Sequence, residues 1–259
     1  MQTPELKLAA RAIRKKLLDM HYSVKSSHLG TALSEVDILT YLFGTFLKAS
    51  DRFVLSKGHG ASGAYATLDH FDKMPKGMID TYYKDGTKLA AHPSPLALEH
   101  MPVATGSLGH GLGVAAGMAF GSRLAKTQKQ VACLISDGEL NEGSIWEAAL
   151  FAGHHKLSNL TVIVDFNGLQ GFGKTSEVLG PEPVVQKWKN FGFETLRIDG
   201  HDFDQLRKSF AGAKRLKPLC IIADTVKGKG VSFMENTLEW HYLNMNEEQY
   251  QKAVAEVIS

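Results

Sequence analysis

The stretch VACLISDGELNEGSIWEAALFAGHHKLSNLTVIVDFNGLQG, from Val131 to Gly171, decides the fold of this chain. Its apolar runs Val131–Ile135 and Leu160–Val164 predict two buried strands, and the segment between them carries apolar residues at helical spacing. A strand–helix–strand crossover makes its two strands parallel neighbours in one sheet. The sequence therefore predicts an α/β domain with a mostly parallel sheet and helices on both faces.

Each of these two strands is followed by a polar residue that suits a metal ion. Asp137 follows the first strand and Asn167 the second, so both lie at the carboxyl edge of the sheet, where open α/β sheets bind ligands. Mg²⁺ takes a few hard oxygen ligands of this kind and completes its shell with phosphate oxygens and water. Glycines such as Gly138 let the backbone approach a phosphate closely. Either polar residue alone would be read as a helix cap or a turn, but the pair favours a metal site.

Composition limits the classes of protein to which the chain can belong. It has 259 residues, of which 44% are hydrophobic and 22% charged, and its net charge is +2. The length suits one large α/β domain or two small ones, and we expect a single domain over residues 1–259. The charge is too balanced to suggest a nucleic-acid surface. The cysteines, Cys133 and Cys220, lie in apolar runs and are expected to be buried thiols. No signal sequence or membrane-spanning run is present, so we expect a cytoplasmic protein.

The remaining elements follow from hydrophobic periodicity. We expect a helix over residues 5–24, and another from about Ser34 with Ser34 or Thr31 as its N-cap. Residues 74–104 should form a long, loop-rich segment, of the kind that is often functional. Further strands are predicted at Phe53–Leu55, Thr195–Ile198 and Leu219–Ala223, and further helices from Gly111 to about Arg123 and at Val184–Phe191, Phe203–Leu216 and Asn246–Val257.

Three loops have readings that the residues alone leave open. His59 stands between two glycines and is as consistent with a solvent-exposed loop as with a ligand contact. The Lys227–Gly230 loop can touch an anion or be a solvated turn. Residues 105–111, TGSLGHG, open a helix but form only a weak motif, and no dinucleotide fingerprint is present.

The chain resembles the N-terminal third to half of transketolases, which use thiamin diphosphate (ThDP), over essentially its whole length. The resemblance rests on nine landmarks in family order: SSHLG, DRFVLSKGHG, HPSP, TGSLGHG, SDGELNEG, VDFNGLQ, DGHD, VKGKG and EWH. The ThDP motif runs Gly-Asp-Gly, about thirty residues, then Asn. Here Ser136 replaces its first glycine and Phe166 precedes the asparagine.

The resemblance implies a ThDP–Mg²⁺ site and assigns residues to it. It implies that Asp137, Asn167 and the backbone carbonyl of Leu169 hold Mg²⁺, and that His28, His92 and His241 face the substrate as catalytic groups. Glu142 matches an acid that joins a subunit-bridging carboxylate network. The implied cofactor-binding residues are His59, Gly106, Ser107, Leu108, Gly138, Glu142 and Asn167.

Transketolases continue into a pyrimidine-binding domain and a C-terminal domain, which we expect this chain to lack. The resemblance therefore implies the N-terminal subunit of a split transketolase. With a partner chain, in two copies of each, it would transfer a two-carbon ketol unit between sugar phosphates. Two alternatives stay open: a related ThDP enzyme that acts on pyruvate or an unusual sugar, and a non-catalytic binding subunit. An unrelated doubly wound α/β domain would require all nine landmarks to be accidental.

Overall fold

The computed structural model describes residues 1–95, 97–127, 129–211 and 215–258. A five-stranded parallel sheet forms the centre of the fold. The strands of the chain are β1 (Arg52–Leu55), β2 (Val131–Ser136), β3 (Leu160–Phe166), β4 (Leu169–Gln170), β5 (Gly173–Lys174), β6 (Glu194–Asp199) and β7 (Leu219–Asp224). The sheet has the order β1-β2-β3-β7-β6, while β4 and β5 form a separate antiparallel hairpin. All five strands predicted from the sequence are confirmed.

Helices cover both faces of the sheet, as the continuous apolar runs of its strands require. Successive residues of β2 point to opposite faces: Leu134 joins one buried cluster, while Cys133 and Ile135 join the other. Both cysteines are buried and free, as predicted. The helices are α1 (Thr3–Val24), α2 (Leu29–Ser34), α3 (Val36–Tyr41), α4 (Ala61–His70), α5 (His110–Leu124), α6 (Gly143–His154), α7 (Thr175–Leu179), α8 (Val184–Asn190), α9 (Phe203–Phe210) and α10 (Glu247–Ile258).

Two predicted helix boundaries are wrong. The helix expected from about Ser34 begins at Leu29, with His28 as its N-cap in the left-handed conformation. Thr31 and Ser34, the predicted caps, both lie inside this helix, and the Ser34 hydroxyl donates to the carboxylate of Asp165 at 2.6 Å instead. The helix expected over Phe203–Leu216 ends at Phe210, and residues 212–214 of that prediction lie outside the described residues.

The long segment of residues 74–104 is loop-rich, as predicted. Its described part contains a 3₁₀ turn at Met78–Thr81 and one antiparallel bridge between Leu98 and Met101. Within the described chain, no helix combines the length and the apolar character needed to cross a membrane.

Candidate functional site

A cavity of about 580 Å³ lies at the carboxyl edge of the sheet. The loops after four parallel strands contribute to it: His59 follows β1, Asp137 follows β2, Asn167 follows β3 and Lys227 follows β7. Parallel strands bring these loops to one edge. Of the residues predicted from the sequence, the lining includes His28, His59, His92, Gly106, Leu108, Asp137, Gly138, Glu142, Asn167, Leu169 and His241. Ser107 is exposed and does not line the cavity.

Asp137 presents a buried carboxylate to this cavity. Its side chain is 2% exposed. Its Oδ2 accepts hydrogen bonds from the Gly168 amide at 2.9 Å and from the Thr175 hydroxyl at 2.6 Å. Its Oδ1 accepts a hydrogen bond from the Gly138 amide at 2.9 Å. Burial raises the pKa of Asp137, and the negative charge of Asp165 raises it further, so the site favours an added positive charge.

Asn167 and Leu169 lie on the turn between β3 and the β4–β5 hairpin. Asn167 is buried, and its Oδ1 accepts the Leu169 amide at 3.1 Å. The Leu169 carbonyl accepts a hydrogen bond from Lys227 Nζ at 3.0 Å. Asn167 therefore forms a local turn, and Asp137 caps the short helix Gly138–Asn141, as the alternative reading of each residue alone expected. Asp137 and Asn167 nevertheless line one cavity.

Four histidines form a cluster at the same cavity. The ring centroid of His28 lies 5.8 Å from those of His59 and His92, and 4.9 Å from that of His241. His59 and His241 are 5.7 Å apart. The main chain holds two of them together, since the His28 amide donates to the His241 carbonyl at 3.1 Å. The sequence separates these residues by up to 213 positions (241 − 28), and the fold brings all four together.

Burial keeps these imidazoles neutral near pH 7. It lowers the pKa of His28 to about 4, with contributions from the nearby His92 and Lys227, and that of His241 to about 3, with Lys227 as the next cause. The pKa of His59 is well below its usual value, because of burial and then the charge of Lys57. His241 Nδ1 lies 3.0 Å from Lys227 Nζ. Because an ammonium group can only donate, Nδ1 accepts and the ring proton is on Nε2.

The position of Lys227 distinguishes the two interpretations of the Lys227–Gly230 loop that the sequence left open. It is 1% exposed and lines the cavity, whereas Lys229 of the same loop pairs with Glu235 at 3.3 Å. Burial lowers the pKa of Lys227 to about 8. The loop is thus not simply a solvated turn, and a buried ammonium group faces the site.

Sequence reasoning missed two buried acids beneath the cavity. Glu139 accepts from the hydroxyl of Ser56 at 2.5 Å, from the Gly109 amide at 2.9 Å and from the Ser136 amide at 2.8 Å. It thereby ties the loop after β1 and the start of α5 to the end of β2. Glu142, which the resemblance singled out instead, is exposed and stands at the N-cap position of α6 without a side-chain capping hydrogen bond. The second missed acid, Glu35, is fully buried beside Lys57; no local pattern marks either acid.

The family model described as "Transketolase, thiamine diphosphate binding domain" matches residues 6–256. The chain belongs to the transketolase family. The resemblance read from the sequence is confirmed, and so is the fold class.

Among transketolase relatives, two of the most similar are single subunits whose length is close to that of this chain. One, from the apulose-4-phosphate transketolase of Phocaeicola vulgatus, is 37% identical, across 99% of this chain and 95% of the relative. The 6-deoxy-6-sulfo-D-fructose transketolase subunit SqwG of a Clostridium species is also 37% identical, across 99% and 97%. The transketolase of Mus musculus is 35% identical, but the matched region is 42% of its length.

Solved transketolase structures have the same fold. The transketolase of Campylobacter jejuni superposes with a TM-score of 0.90 at 29% identity, covering 99% of this chain and 43% of the other. The transketolase of Leishmania mexicana gives 0.89 at 28% identity, covering 99% and 41%. These solved chains are thus more than twice as long as the matched region.

Proposed function

We propose that this chain is the ThDP- and Mg²⁺-binding subunit of a two-chain transketolase. With a partner that carries the pyrimidine-binding and C-terminal domains, it transfers a two-carbon ketol unit from a ketose to an aldose. The observation that carries the proposal is the convergence of Asp137, Asn167, Lys227 and four neutral histidines on one cavity in a transketolase-family chain. The match of this chain to nearly the full length of relatives named as subunits supports the two-chain arrangement.

The donor set fits Mg²⁺ bound to a diphosphate. Asp137 Oδ1, Asn167 Oδ1 and the Leu169 carbonyl are hard oxygen donors, and phosphate oxygens would complete the shell. Lys57 pairs with Glu35 and Asp165, and Lys229 pairs with Glu235. The charge of Lys227 offsets that of Asp137 only in part, since the pKa of Asp137 is still raised, so the buried carboxylate suits a cation. No group of three or more His, Cys, Asp or Glu side chains suited to a metal occurs in the described chain. The proposed site has one carboxylate, Asp137, and needs no such group, because the negative charge of the ThDP diphosphate would provide the rest of the attraction for Mg²⁺.

Lys227 and His59 suit the diphosphate, and the other histidines suit the sugar. Lys227 is the only lysine or arginine among the described residues that line the cavity. When bound between the two chains, ThDP would supply the carbanion chemistry of the transfer. His28, His92 and His241 would hold the hydroxyl groups of the sugar, since a neutral imidazole donates with one nitrogen and accepts with the other. His241 Nε2–H is the available donor of its ring.

Exposed apolar groups around the cavity support a partner chain. Phe172 on the β4–β5 hairpin is 89% exposed, and Leu179 and Tyr242 on the same rim are 61% and 55% exposed. On α5, the carbon positions that side chains would occupy at Gly113, Gly117 and Gly121 meet no neighbouring atom. Exposed apolar surface of this extent marks interaction sites. The partner would cover the rim and α5, and paired sites would give two copies of each chain.

The donor sugar depends on the partner. The relatives are named for apulose 4-phosphate and for 6-deoxy-6-sulfo-D-fructose, which supports a specialised sugar as the alternative to common sugar phosphates. Lys227 lies beside the metal ligands, and the described residues that line the cavity include no other lysine or arginine for a phosphate or sulfonate at the far end of the sugar. We assign that recognition to the partner.

Mixing the chain with a candidate partner tests the proposal. The mixture contains xylulose 5-phosphate, ribose 5-phosphate, ThDP and Mg²⁺, and is compared with the same mixture without the partner. A parallel series offers apulose 4-phosphate and 6-deoxy-6-sulfo-D-fructose as donors. We expect ketol transfer only with both chains. Ketol transfer by the isolated chain would refute the two-chain proposal, and absence of ThDP binding by both the chain and the complex would refute the cofactor assignment.

A further inference from the structure

Beneath the cavity lies a buried ion cluster of two carboxyl groups and one ammonium group. Glu35, Lys57 and Asp165 are each 0% exposed. Lys57 Nζ contacts Asp165 Oδ2, donates to the Thr31 carbonyl at 3.2 Å and lies 3.0 Å from Glu35 Oε2. Two acids thus share one base in a place that water does not reach.

Asp165 has more hydrogen-bond donors around its carboxylate than Glu35 has. Asp165 also accepts hydrogen bonds from the hydroxyl groups of Ser34 and Thr225. Glu35 has only the ion contact with Lys57, and neither of its oxygens makes a well-aligned hydrogen bond with a described residue. A buried charge without donors is costly, so the negative charge belongs on Asp165 and a proton belongs on Glu35. Burial raises the pKa of Glu35 to about 8, whereas Lys57 lowers that of Asp165.

The start of α4 is shaped around the Glu35 carboxyl group. A side-chain carbon at Gly60 would lie 2.5 Å from Glu35 Oε2, and one at Gly63 would lie 2.5 Å from Oε1. The charged groups that face Glu35 are Lys57, in the loop after β1, and Asp165, at the end of β3, while α4 presents glycine backbone. Glu35 is thus wedged against the loop that carries His59.

We propose that Glu35 is a positioning residue of this site and that it acts with its carboxyl group protonated. Lys57 is two residues from His59, Asp165 is two residues from Asn167, and Thr31 lines the cavity. When Glu35 loses its proton, a second buried carboxylate competes with Asp165 for the Lys57 ammonium group. The ammonium group moves toward Glu35, and the loops that carry His59 and Asn167 move with it. The site is therefore assembled at neutral pH and loosened at alkaline pH.

The Glu35→Gln variant tests this, because it has the shape of the protonated acid and cannot lose the proton. The readout is the dissociation constant of ThDP, with Mg²⁺, from about pH 7 to about pH 9.5, for the full chain and for its complex with the partner. Wild-type affinity should fall more than about 10-fold over this range as the competent fraction shrinks. Glu35→Gln should match wild type at neutral pH and lose less affinity than wild type at alkaline pH, where the remaining loss comes from the Lys227 ammonium group, whose pKa is about 8. Glu147→Gln, which removes an exposed carboxylate on α6, should behave as wild type. Parallel pH profiles for wild type and Glu35→Gln would overturn the proposal.

A second measurement needs no ligand. The infrared spectrum of wild type near neutral pH should contain a protonated carboxyl band that disappears at alkaline pH and is missing from Glu35→Gln. If wild type has no such band, Glu35 is ionised and the proposal is wrong, even where the variant does not fold. The ThDP affinity measurement rests on the proposed function, whereas the infrared measurement does not. A chain that binds no ThDP would therefore refute the proposed function, and the protonation of Glu35 could still be tested by infrared spectroscopy.

Discussion

The ammonium group of Lys227 donates a hydrogen bond to the backbone carbonyl of Leu169, at an Nζ–O distance of 3.0 Å. The same carbonyl is the third oxygen of the proposed Mg²⁺ site. Two cations on one carbonyl oxygen repel each other, so Lys227 must release or share this oxygen when the metal binds. Lys227 and the metal therefore compete for the Leu169 carbonyl oxygen. Once a diphosphate is present, both cations neutralise its negative charge.

Lys227→Met separates these two roles. With ThDP present, affinity for the cofactor–metal pair should fall by about 10-fold or more, because a charged hydrogen bond is worth roughly 1.5–3 kcal/mol. Without ThDP, Mg²⁺ should bind more tightly than in wild type, because its competitor is gone. Titration calorimetry measures both constants, with Lys229→Met as the matched control. Equal losses of both affinities would contradict the competition.

Substitution of the proposed metal ligands should reduce ThDP affinity more than substitution of Lys227 does. Asp137→Ala should abolish Mg²⁺-dependent ThDP binding, and Asn167→Ala should weaken it similarly, because the diphosphate then lacks its bridging cation. Thr175→Val removes the 2.6 Å hydrogen bond to Asp137 and should cost about 10–100-fold in metal affinity. Calorimetry with and without Mg²⁺ checks these values, and exposed Asp85→Ala serves as the control. An Asp137→Ala chain that binds ThDP as wild type does would refute the assignment.

The histidines should divide by function. His92→Ala and His241→Ala should lower turnover in the reconstituted enzyme while ThDP affinity stays close to wild type. His59→Ala should mainly raise the ThDP concentration that the enzyme needs for activity, with a smaller effect on turnover. Steady-state kinetics and ThDP titrations distinguish the two effects, and His154→Ala, at the end of α6 and away from the cavity lining, controls for loss of a histidine. If His92→Ala loses cofactor binding as severely as Asp137→Ala, the proposed division is wrong.

The lowered pKa values of His28 and His241 predict a loss of stability in acid. Both groups are neutral when folded but protonate near the usual value of about 6.5 when unfolded. Their contribution is therefore fully present above about pH 6.5 and is lost as the pH falls toward about 4 and 3. Thermal unfolding across this range should give a smaller fall in Tm for His28→Gln and His241→Gln than for wild type. Curves parallel to wild type would show that these rings titrate normally.

Gly60 and Glu35 should be energetically coupled. Gly60→Ala places a carbon 2.5 Å from Glu35 Oε2, and such overpacking costs about 1–3 kcal/mol. In a Glu35→Ala background the same change should cost much less, since the conflicting carboxyl group is gone. Denaturant unfolding of the double-mutant cycle measures the coupling. Gly113→Ala, at an open position of α5, should stabilise both backgrounds by about 0.5–1 kcal/mol. Additive effects of Gly60→Ala and Glu35→Ala would exclude the contact.

The sequence by itself determined the sheet and one edge of the site. Apolar runs predicted β1, β2, β3 and β7, whose residues are almost all buried, because a strand covered on both faces needs a continuous apolar run. The remaining strand, β6, was also predicted, but it lies at the edge of the sheet and is mostly exposed. Asp137 and Asn167 were found from sequence because each closely follows such a run, and the crossover rule places the ends of parallel strands together. The nine landmarks predicted the family, which the matching model of residues 6–256 confirmed.

Only the tertiary structure decided which buried charges support that edge. Glu35 meets Lys57 across 22 positions (57 − 35), and Lys57 meets Asp165 across 108. Hydrophobic periodicity reports neighbours along a helix or strand and carries no information on such distant pairs. The start of α2 escaped prediction for the same reason: Ser34, a plausible cap by local chemistry, bonds instead to Asp165, 131 residues away. A buried polar group takes the partner that the folded chain supplies, because leaving it unpaired costs more than abandoning a local preference.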